Sequence, residues 1–396
     1  MNFKPVGVCN VQEKPSFLVL LYGTLEYDGR AQRMLEILKD LGRVTIVDLS
    51  SQGTNNSGVM KDVRRIQVQL PKQASKSGRH LHFWRTVIQV ARRERPMIVI
   101  AENYFTTLPG WISARCCGSK LIYDAYELII PDNTYRMSKR DRFWYMLERW
   151  VIHRADLVIA ANEERAHLMA EHYNLNQTPV VMRNIPAFRK PAISKEDVLH
   201  RFPMLSRSRS DEVLVIYQGD VSLSRGIGRF VKAFSYLGPE YRIVIVGGGQ
   251  DLERIKELGQ SLESEGRLVT LGRVEHKALP AITAIADVGI VTYPFQGLNN
   301  IYCASNKIFE YAQAGLPVVA TDQPPLRRLV ENYGIGKLIG EHDGAEKVAN
   351  AIREVAENKN EYVKNLGRLL DDYCFENEAK RVRVAIDNII GKSRRA

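Results

Sequence analysis

No run of 18 or more apolar residues occurs in the 396-residue chain, so no segment is read as a helix that spans a bilayer. The opening stretch, MNFKPVGVCNVQEKPSF, lacks an uninterrupted apolar core and is not read as a secretory signal. Cysteine is scarce. Cys9, Cys116, Cys117, Cys303 and Cys374 make five, an odd number, with no Cys-x-x-Cys pair and no Cys/His cluster at metal-ligand spacing. A disulfide framework and a structural zinc module are therefore not indicated, and a reducing cytoplasm fits this usage best. Asp-x-Asp and His-Glu-x-x-His are both missing, so a catalytic metal is not indicated either. There is no Gly-x-Ser-x-Gly elbow, no P-loop and no low-complexity segment. What is present is an ordinary globular composition, 45% hydrophobic and 26% charged. The length suits two domains of about 150–200 residues each.

The net charge of +11 is uneven. Residues 1–190 hold 28 Lys+Arg against 18 Asp+Glu, whereas residues 191–396 hold 28 against 27. Residues 61–95 alone carry 10 basic and 2 acidic groups. Such asymmetry points to an anionic partner for the first half; a solvated helix face is the plainer account of the same charge.

Apolar runs of strand length recur along the chain. In the first half they are Phe17–Leu21, Val44–Val47, Met97–Ala101, Lys120–Tyr123 and Leu157–Ala160. Helical spacing fills residues 30–41, 81–93 and 139–153 between them, while 51–79 is polar and reads as a long connection. Leu175–Pro191, with Pro179, Pro186 and Pro191, reads as a hinge. The alternation then restarts with Val213–Tyr217, Tyr241–Val246, Leu268–Leu271, Val288–Val291 and Leu316–Ala320. The expectation is an α/β protein of two doubly wound, Rossmann-like domains, residues 1–190 and 191–396, facing across a cleft. The last helix, about 376–392, is expected to pack back on the first domain.

Open parallel sheets bind ligands beyond the carboxyl ends of their strands. Three loops of the second half stand there. In Ser305–Ala320 (SNKIFEYAQAGLPVVA), Ser305 is placed as the N-cap of a helix over 306–314, with Gly315 ending it and Pro317 barring continuation. Lys307 and Glu310, three apart, share a face. A lysine beside a helix N-terminus suits phosphate, and a carboxylate one turn further in suits ribose hydroxyls. A capped helix with a surface Lys–Glu pair fits the same spacing. In Gln218-Gly219-Asp220…Ser224-Arg225-Gly226, glycine permits close approach and Arg225 is a forked, permanent cation. Gly247-Gly248-Gly249 lacks dinucleotide-fingerprint spacing and reads as a tight turn. In the first half, Tyr22-Gly23-Thr24 follows a strand, and Asp124, Tyr126 and Glu127 follow another, where a phenol or carboxylate has access to an acceptor hydroxyl.

Taken in order, VLVIYQGDVSLSRGIGRFVKAF, YRIVIVGGGQDLERIKEL, VTLGRVEHKALPAITAIADVGIVTYP and SNKIFEYAQAGLPVVAT resemble glycosyltransferase family 4, retaining enzymes of the GT-B fold. The first half is similar more loosely, through LIYDAYEL and RADLVIAANEERAHLMAEHYNL. The resemblance implies a diphosphate site with Gly219, Arg225 and Lys307, a turn at Gly248, a base loop with Arg273 and Val274, and ribose bound by Glu310, with Ser305 and Asn306 beside it. From their place after strands, Gly23 is expected near the donor, and Tyr126 and Glu127 near the acceptor hydroxyl. The signature Lys-x-x-Glu-Tyr marks a sub-branch. Two positions depart from the family. Its first glutamate falls at Tyr302 and its histidine at Tyr126; either the sugar is held differently, by Asn299, Asn300 or Asn306, or activity is reduced.

The function implied is transfer from a nucleotide-diphosphate sugar, UDP or GDP, to a glycan or lipid-linked glycan in cell-surface polysaccharide synthesis. It is implied to be retaining and free of any metal or other cofactor. The place expected is the cytoplasm, with docking on the inner face of an anionic membrane. Leu81, Trp84, Val87 and Ile88 form an apolar stripe among arginines there, and residues 136–150 repeat the theme. Packing of that stripe on the sheet is the alternative. A non-catalytic GT-B-like subunit is the rival function, motivated by Tyr302. Nucleic-acid binding has only the charge in its favour.

Overall fold

The computed structural model describes residues 14–50, 62–134, 136–188, 192–275 and 277–393. Residues 1–13, with Cys9, residues 51–61 and Pro191 lie outside them. Thirteen strands are formed among the described residues: β1 (Ser16–Leu21), β2 (Arg43–Leu49), β3 (Val63–Val68), β4 (Ile98–Glu102), β5 (Lys120–Ala125), β6 (Leu157–Ala160), β7 (Val180–Val181), β8 (Val213–Gln218), β9 (Tyr241–Val246), β10 (Leu268–Gly272), β11 (Val288–Val291), β12 (Val318–Thr321) and β13 (Gly336–Ile339). They make two sheets, ordered β3-β2-β1-β4-β5-β6-β7 and β10-β9-β8-β11-β12-β13. The pairings of β1 with β2 and β4, and of β8 with β9 and β11, are all parallel. Each order reverses after its third strand, which is the doubly wound arrangement and puts the ligand crevice beside β1 or β8.

Helices on both faces explain why the central strands read as unbroken apolar runs. Phe17–Leu21 is buried throughout, and so are Leu214–Tyr217 and Ile243–Val246. The second sheet separates two cores. One includes Ile216, Val244 and Tyr311; the other includes Val215, Phe230 and Ile243. Neighbouring residues of one strand thus alternate between them.

Contacts divide the chain into two compact units. One holds 1–126, 140–159 and 381–396; the other holds 127–139 and 160–380. In the first, the end of the last helix is tied by an ion pair between Arg383 and Asp40.

The polar stretch 51–79 is more than a connection. It supplies β3, an edge strand whose sequence, VRRIQV, hides its role. Arg65 is there because its guanidinium is consumed. Nε and Nη2 donate to Asp48 at 2.9 and 2.5 Å, and Nη1 and Nη2 to Glu26 at 2.5 and 2.8 Å. Arg64 pairs with Glu94 at 3.0 Å. Part of the basic excess at 61–95 is therefore neutralised internally. The next helix runs Lys76–Glu94, five residues longer at its start than its apolar pattern suggests, because Ser75 Oγ caps it by accepting from the Gly78 amide at 3.1 Å. Its apolar stripe does not lie on the surface as a whole: Val87 is fully buried, Trp84 and Ile88 are half-buried, and only Leu81 is exposed. Within the stretch read as a hinge, Val180–Val181 is a strand.

Candidate functional site

The site is built at the carboxyl ends of β8 to β12. The turns beyond β8, β9 and β10 are laced by main chain. Gly219 N–H donates to Val246 O at 2.9 Å, Val221 N–H to Gly248 O at 3.2 Å, and Gly247 N–H to Gly272 O at 2.8 Å. The approach is too close for side chains. A Cβ on Gly247, whose φ is 140°, would lie 1.8 Å from Gly219 O, and one on Gly249 would lie 2.0 Å from Val221 O. The triple glycine is thus a tight turn that lets two backbones touch. Beside it, Gly248 faces the exposed side chain of Arg273, and Val274 packs on the adjoining core.

A short 3₁₀ turn, Leu223–Arg225, presents Arg225 and stops at Gly226, whose φ is 82°. Asp251 holds the turn by accepting from Leu223 N–H at 2.9 Å, and Thr292 Oγ1 donates to Arg225 O at 2.9 Å. Tyr293 follows β11. Its N–H donates to Thr321 Oγ1 at 3.0 Å, and its carbonyl accepts from Gln323 Nε2 at 2.8 Å. The ring so fixed carries two cations: Arg225 Cζ lies 5.7 Å and Lys307 Nζ 5.2 Å from its centroid. Lys307 Nζ is also 5.8 Å from the Tyr217 ring. Burial and the neighbouring Arg225 work against the charge on Lys307, but Tyr293, Tyr217 and Glu310 outweigh them, and its pKa is raised. Lys307 is thus cationic at neutral pH. Among the described residues, no carboxylate is ion-paired with Arg225 or Lys307.

Lys307 opens the helix Lys307–Gln313. Tyr311 explains how so short a helix is held. Its hydroxyl accepts from Gln218 N–H at 3.2 Å and lies 3.3 Å from both Ile216 O and Ile290 O. Its ring needs Gly289 beneath it, where a Cβ would come within 2.4 Å. The order Lys-x-x-Glu-Tyr thus has a physical meaning: the tyrosine anchors the helix in the sheet, while Lys307 and Glu310 face the loop after β8. Glu310 Oε2 accepts from Gln218 Nε2 at 2.5 Å.

The expected cap is corrected. Asn306, not Ser305, holds the cap position, in helical conformation (φ −73°, ψ −36°) and with no side-chain cap bond. Ser305 Oγ is instead buried without a hydrogen-bond partner. Asn299 and Asn300 are both engaged by protein groups. Asn299 Oδ1 accepts from Leu128 N–H at 2.9 Å, and Asn300 Nδ2 donates to Gln296 O at 2.8 Å. Arg165 clamps the same loop through Tyr302 O at 2.6 Å and Asn299 O at 2.8 Å.

The structure therefore gathers Gly219, Arg225, Gly248, Arg273, Ser305, Asn306, Lys307 and Glu310, with Val274 behind Arg273. Gly23 and Tyr126 belong to the first unit, and Glu127 to the 127–139 segment of the second. Tyr126 donates its hydroxyl to Asp28 Oδ2 at 3.1 Å. Asp124 is not a loop residue. It is the fifth residue of β5, fully buried, and receives Arg30 at 2.8 and 2.6 Å. Glu102, its register partner on β4, is equally buried; burial above all, then the Asp124 and Asp28 carboxylates, push its pKa well above the usual range. Gln218 was named only as the start of its loop, and Tyr293 and Thr283 were not singled out by sequence. The first two stand at strand ends, which is a usable signal; Thr283, inside a helix, has none.

Residues 205–368 match the family model described as glycosyl transferases group 1, and residues 29–184 match that of a glycosyl transferase 4-like domain. The chain is a glycosyltransferase. This glycosyltransferase is similar to an uncharacterised glycosyltransferase of Methanocaldococcus jannaschii, with 20% identity over 292 residues, 71% of each chain. It is similar also to alpha-monoglucosyldiacylglycerol synthase of Streptococcus pneumoniae, with 25% identity over 283 residues, 66% of this chain and 62% of that protein. In fold, the glycosyltransferase resembles HepE of Anabaena, solved in complex with UDP and glucose. The TM-score is 0.73 at 15% identity, covering 94% of this chain and 100% of that one. The glycosyltransferase thus has the GT-B fold of two parallel-sheet, Rossmann-like domains.

Proposed function

We propose that the protein transfers a sugar from a nucleotide-diphosphate sugar to a glycan or lipid-linked glycan, with retention and without a metal, in cell-surface polysaccharide synthesis. The observation that carries this reading is the pair of cations, Arg225 and Lys307, 5.7 and 5.2 Å from the Tyr293 ring centroid, with Glu310 one helical turn beyond Lys307. A diphosphate takes two positive charges, and a carboxylate such as Glu310 suits ribose hydroxyls. UDP is the first candidate, in line with the UDP of the HepE complex. In the reaction, the bond between the anomeric carbon and the phosphate oxygen breaks while the acceptor oxygen bonds to that carbon on the same face. The acceptor proton passes to the departing phosphate oxygen, and Arg225 and Lys307 stabilise the charge that develops there. Titration calorimetry with UDP, GDP and ADP tests the donor site. At least one is expected to bind and to raise the melting temperature, by about 2.7 kcal/mol of stability at a hundredfold excess over Kd. If none binds, the reading fails; binding without turnover of any sugar donor returns the non-catalytic subunit.

A membrane acceptor has an observation of its own. Among the described residues no helix is long and apolar enough to cross a membrane. On the helix Lys139–Ile152, however, Phe143, Met146 and Trp150 are 52%, 55% and 40% exposed. Exposed Arg142 and Arg149 lie beside them, and Arg154 stacks 4.0 Å over Trp150. An apolar stripe flanked by arginines suits the interface of an anionic bilayer. In flotation assays the protein is expected to rise with vesicles of phosphatidylglycerol and phosphatidylcholine and not with phosphatidylcholine alone, and Phe143→Ser/Trp150→Ser to stay at the bottom. Equal recovery from both vesicle types would remove this reading.

A further inference from the structure

We infer that Gln218 is a positioning residue of the donor site: it fixes the Glu310 carboxylate so that a ribose is distinguished from a deoxyribose. The inference rests on the donor reading given above, and it names what sets the selectivity of that site.

Gln218 is the last residue of β8 and only 3% exposed. A buried primary amide has to place a donor face and an acceptor face. Here both are committed. Nε2 donates to Glu310 Oε2 at 2.5 Å, and Oε1 lies 2.9 Å from Thr283 Oγ1, whose one proton it shares with Leu279 O at 2.7 Å. The reverse orientation would point the amide oxygen at a carboxylate oxygen, which electrostatics forbids. The backbone is pinned too, since Gln218 N–H donates to the Tyr311 hydroxyl, one residue beyond Glu310. The strand end and the helix Lys307–Gln313 are therefore joined twice, once by main chain and once by side chain.

The consequence concerns the free oxygen. Glutamate has three rotatable bonds, and a half-buried one in a site open to ligand samples several rotamers unless something holds it. With Oε2 taken by Gln218, Oε1 is left at a set position for hydroxyls of the sugar. A held acceptor loses affinity when the ligand lacks the hydroxyl; a mobile one turns away and loses little.

The test uses the full-length protein, calorimetry and the probes UDP, GDP and ADP with their 2′-deoxy forms. The variants are Gln218→Met, which keeps the volume and removes the amide, Thr283→Val, which removes the hydroxyl that orients it, Glu310→Gln, and Gln218→Met/Glu310→Gln. The wild type is expected to bind its preferred ribonucleotide roughly 10-fold or more tighter than the deoxy form, the size of one hydrogen bond to a charged group. Gln218→Met is expected to bring that ratio to about 2-fold, mainly by weakening the ribonucleotide, and Thr283→Val to narrow it less. The double variant should match Glu310→Gln, because Gln218 acts through that carboxylate. Full discrimination in Gln218→Met, or losses that multiply in the double variant, would overturn the inference. Failure of the donor reading looks different: the wild type then binds none of the probes, or Glu310→Gln binds as the wild type does. Should Gln218→Met not fold, Thr283→Val decides by the same ratio.

Discussion

Arg225→Ala is expected to lower kcat/KM for sugar transfer by about 10²–10³-fold, the usual loss when one preorganised donor to a developing oxyanion is removed. Arg225 faces Tyr293 with no ion pair to a protein carboxylate among the described residues, so its charge is available to a ligand. For the same reason the fold has little to lose, and the melting temperature should move by no more than about 0.5 kcal/mol of stability implies. Lys307→Ala is expected to behave alike, since the two cations share one aromatic ring. Together the losses should fall short of multiplying, because one remaining cation repositions the diphosphate less well than two but both act on one charge. Steady-state kinetics with the nucleotide sugar found by calorimetry, run beside thermal unfolding, checks this. Wild-type turnover in Arg225→Ala would rule out its role at the leaving group.

The second large effect is on stability, in the first unit. Arg30→Met should destabilise by about 3–5 kcal/mol, because it strands a buried carboxylate. Arg30 and Asp124 have side chains only 3% and 0% exposed and meet at 2.6 Å. Removing both charges together, as Arg30→Met/Asp124→Leu, should recover most of the loss, as an apolar pair needs no desolvation. Glu102 responds in the opposite direction. Its folded pKa lies above the ordinary 4.5, chiefly through burial. The folded chain therefore keeps a proton that the unfolded chain releases, and stability falls as pH rises above the unfolded value. Glu102→Gln removes that slope, so its advantage over the wild type should grow between pH 5 and pH 8 in urea unfolding. An Arg30→Met melting curve that matches the wild type would show that the pair carries no weight.

Strands were legible where both faces are covered. β1, β8 and β9 are apolar at nearly every position, and no other element gives that pattern at that length. β3 was not legible, because Arg64 and Arg65 look like solvent-facing charge until Glu94, Glu26 and Asp48 are in place. The same blindness to distant partners led Asp124 to be read as loop: Arg30 lies 94 residues away along the chain. In the site, the loops at strand ends were legible from topology alone, and the glycines, Arg225, Lys307 and Glu310 follow from them. Ser305 was misplaced because residue type suggests a cap, whereas the conformation of Asn306 decides where the helix begins. The bond from Thr283 to Gln218 spans 65 residues and leaves no local trace.

The laced turns beyond β8, β9 and β10 divide the labour between backbone and side chain in a way that matters for redesign. The base of the site is amide and carbonyl, with Gly247 and Gly249 lying directly against the backbone of Gly219 and Val221. Beside them stands the exposed side chain of Arg273, facing Gly248, where the choice of residue is open. Substitutions confined to Arg273 alter what these turns present to a ligand while leaving their foundation intact. One that touches the glycines breaks the foundation before any new preference is heard.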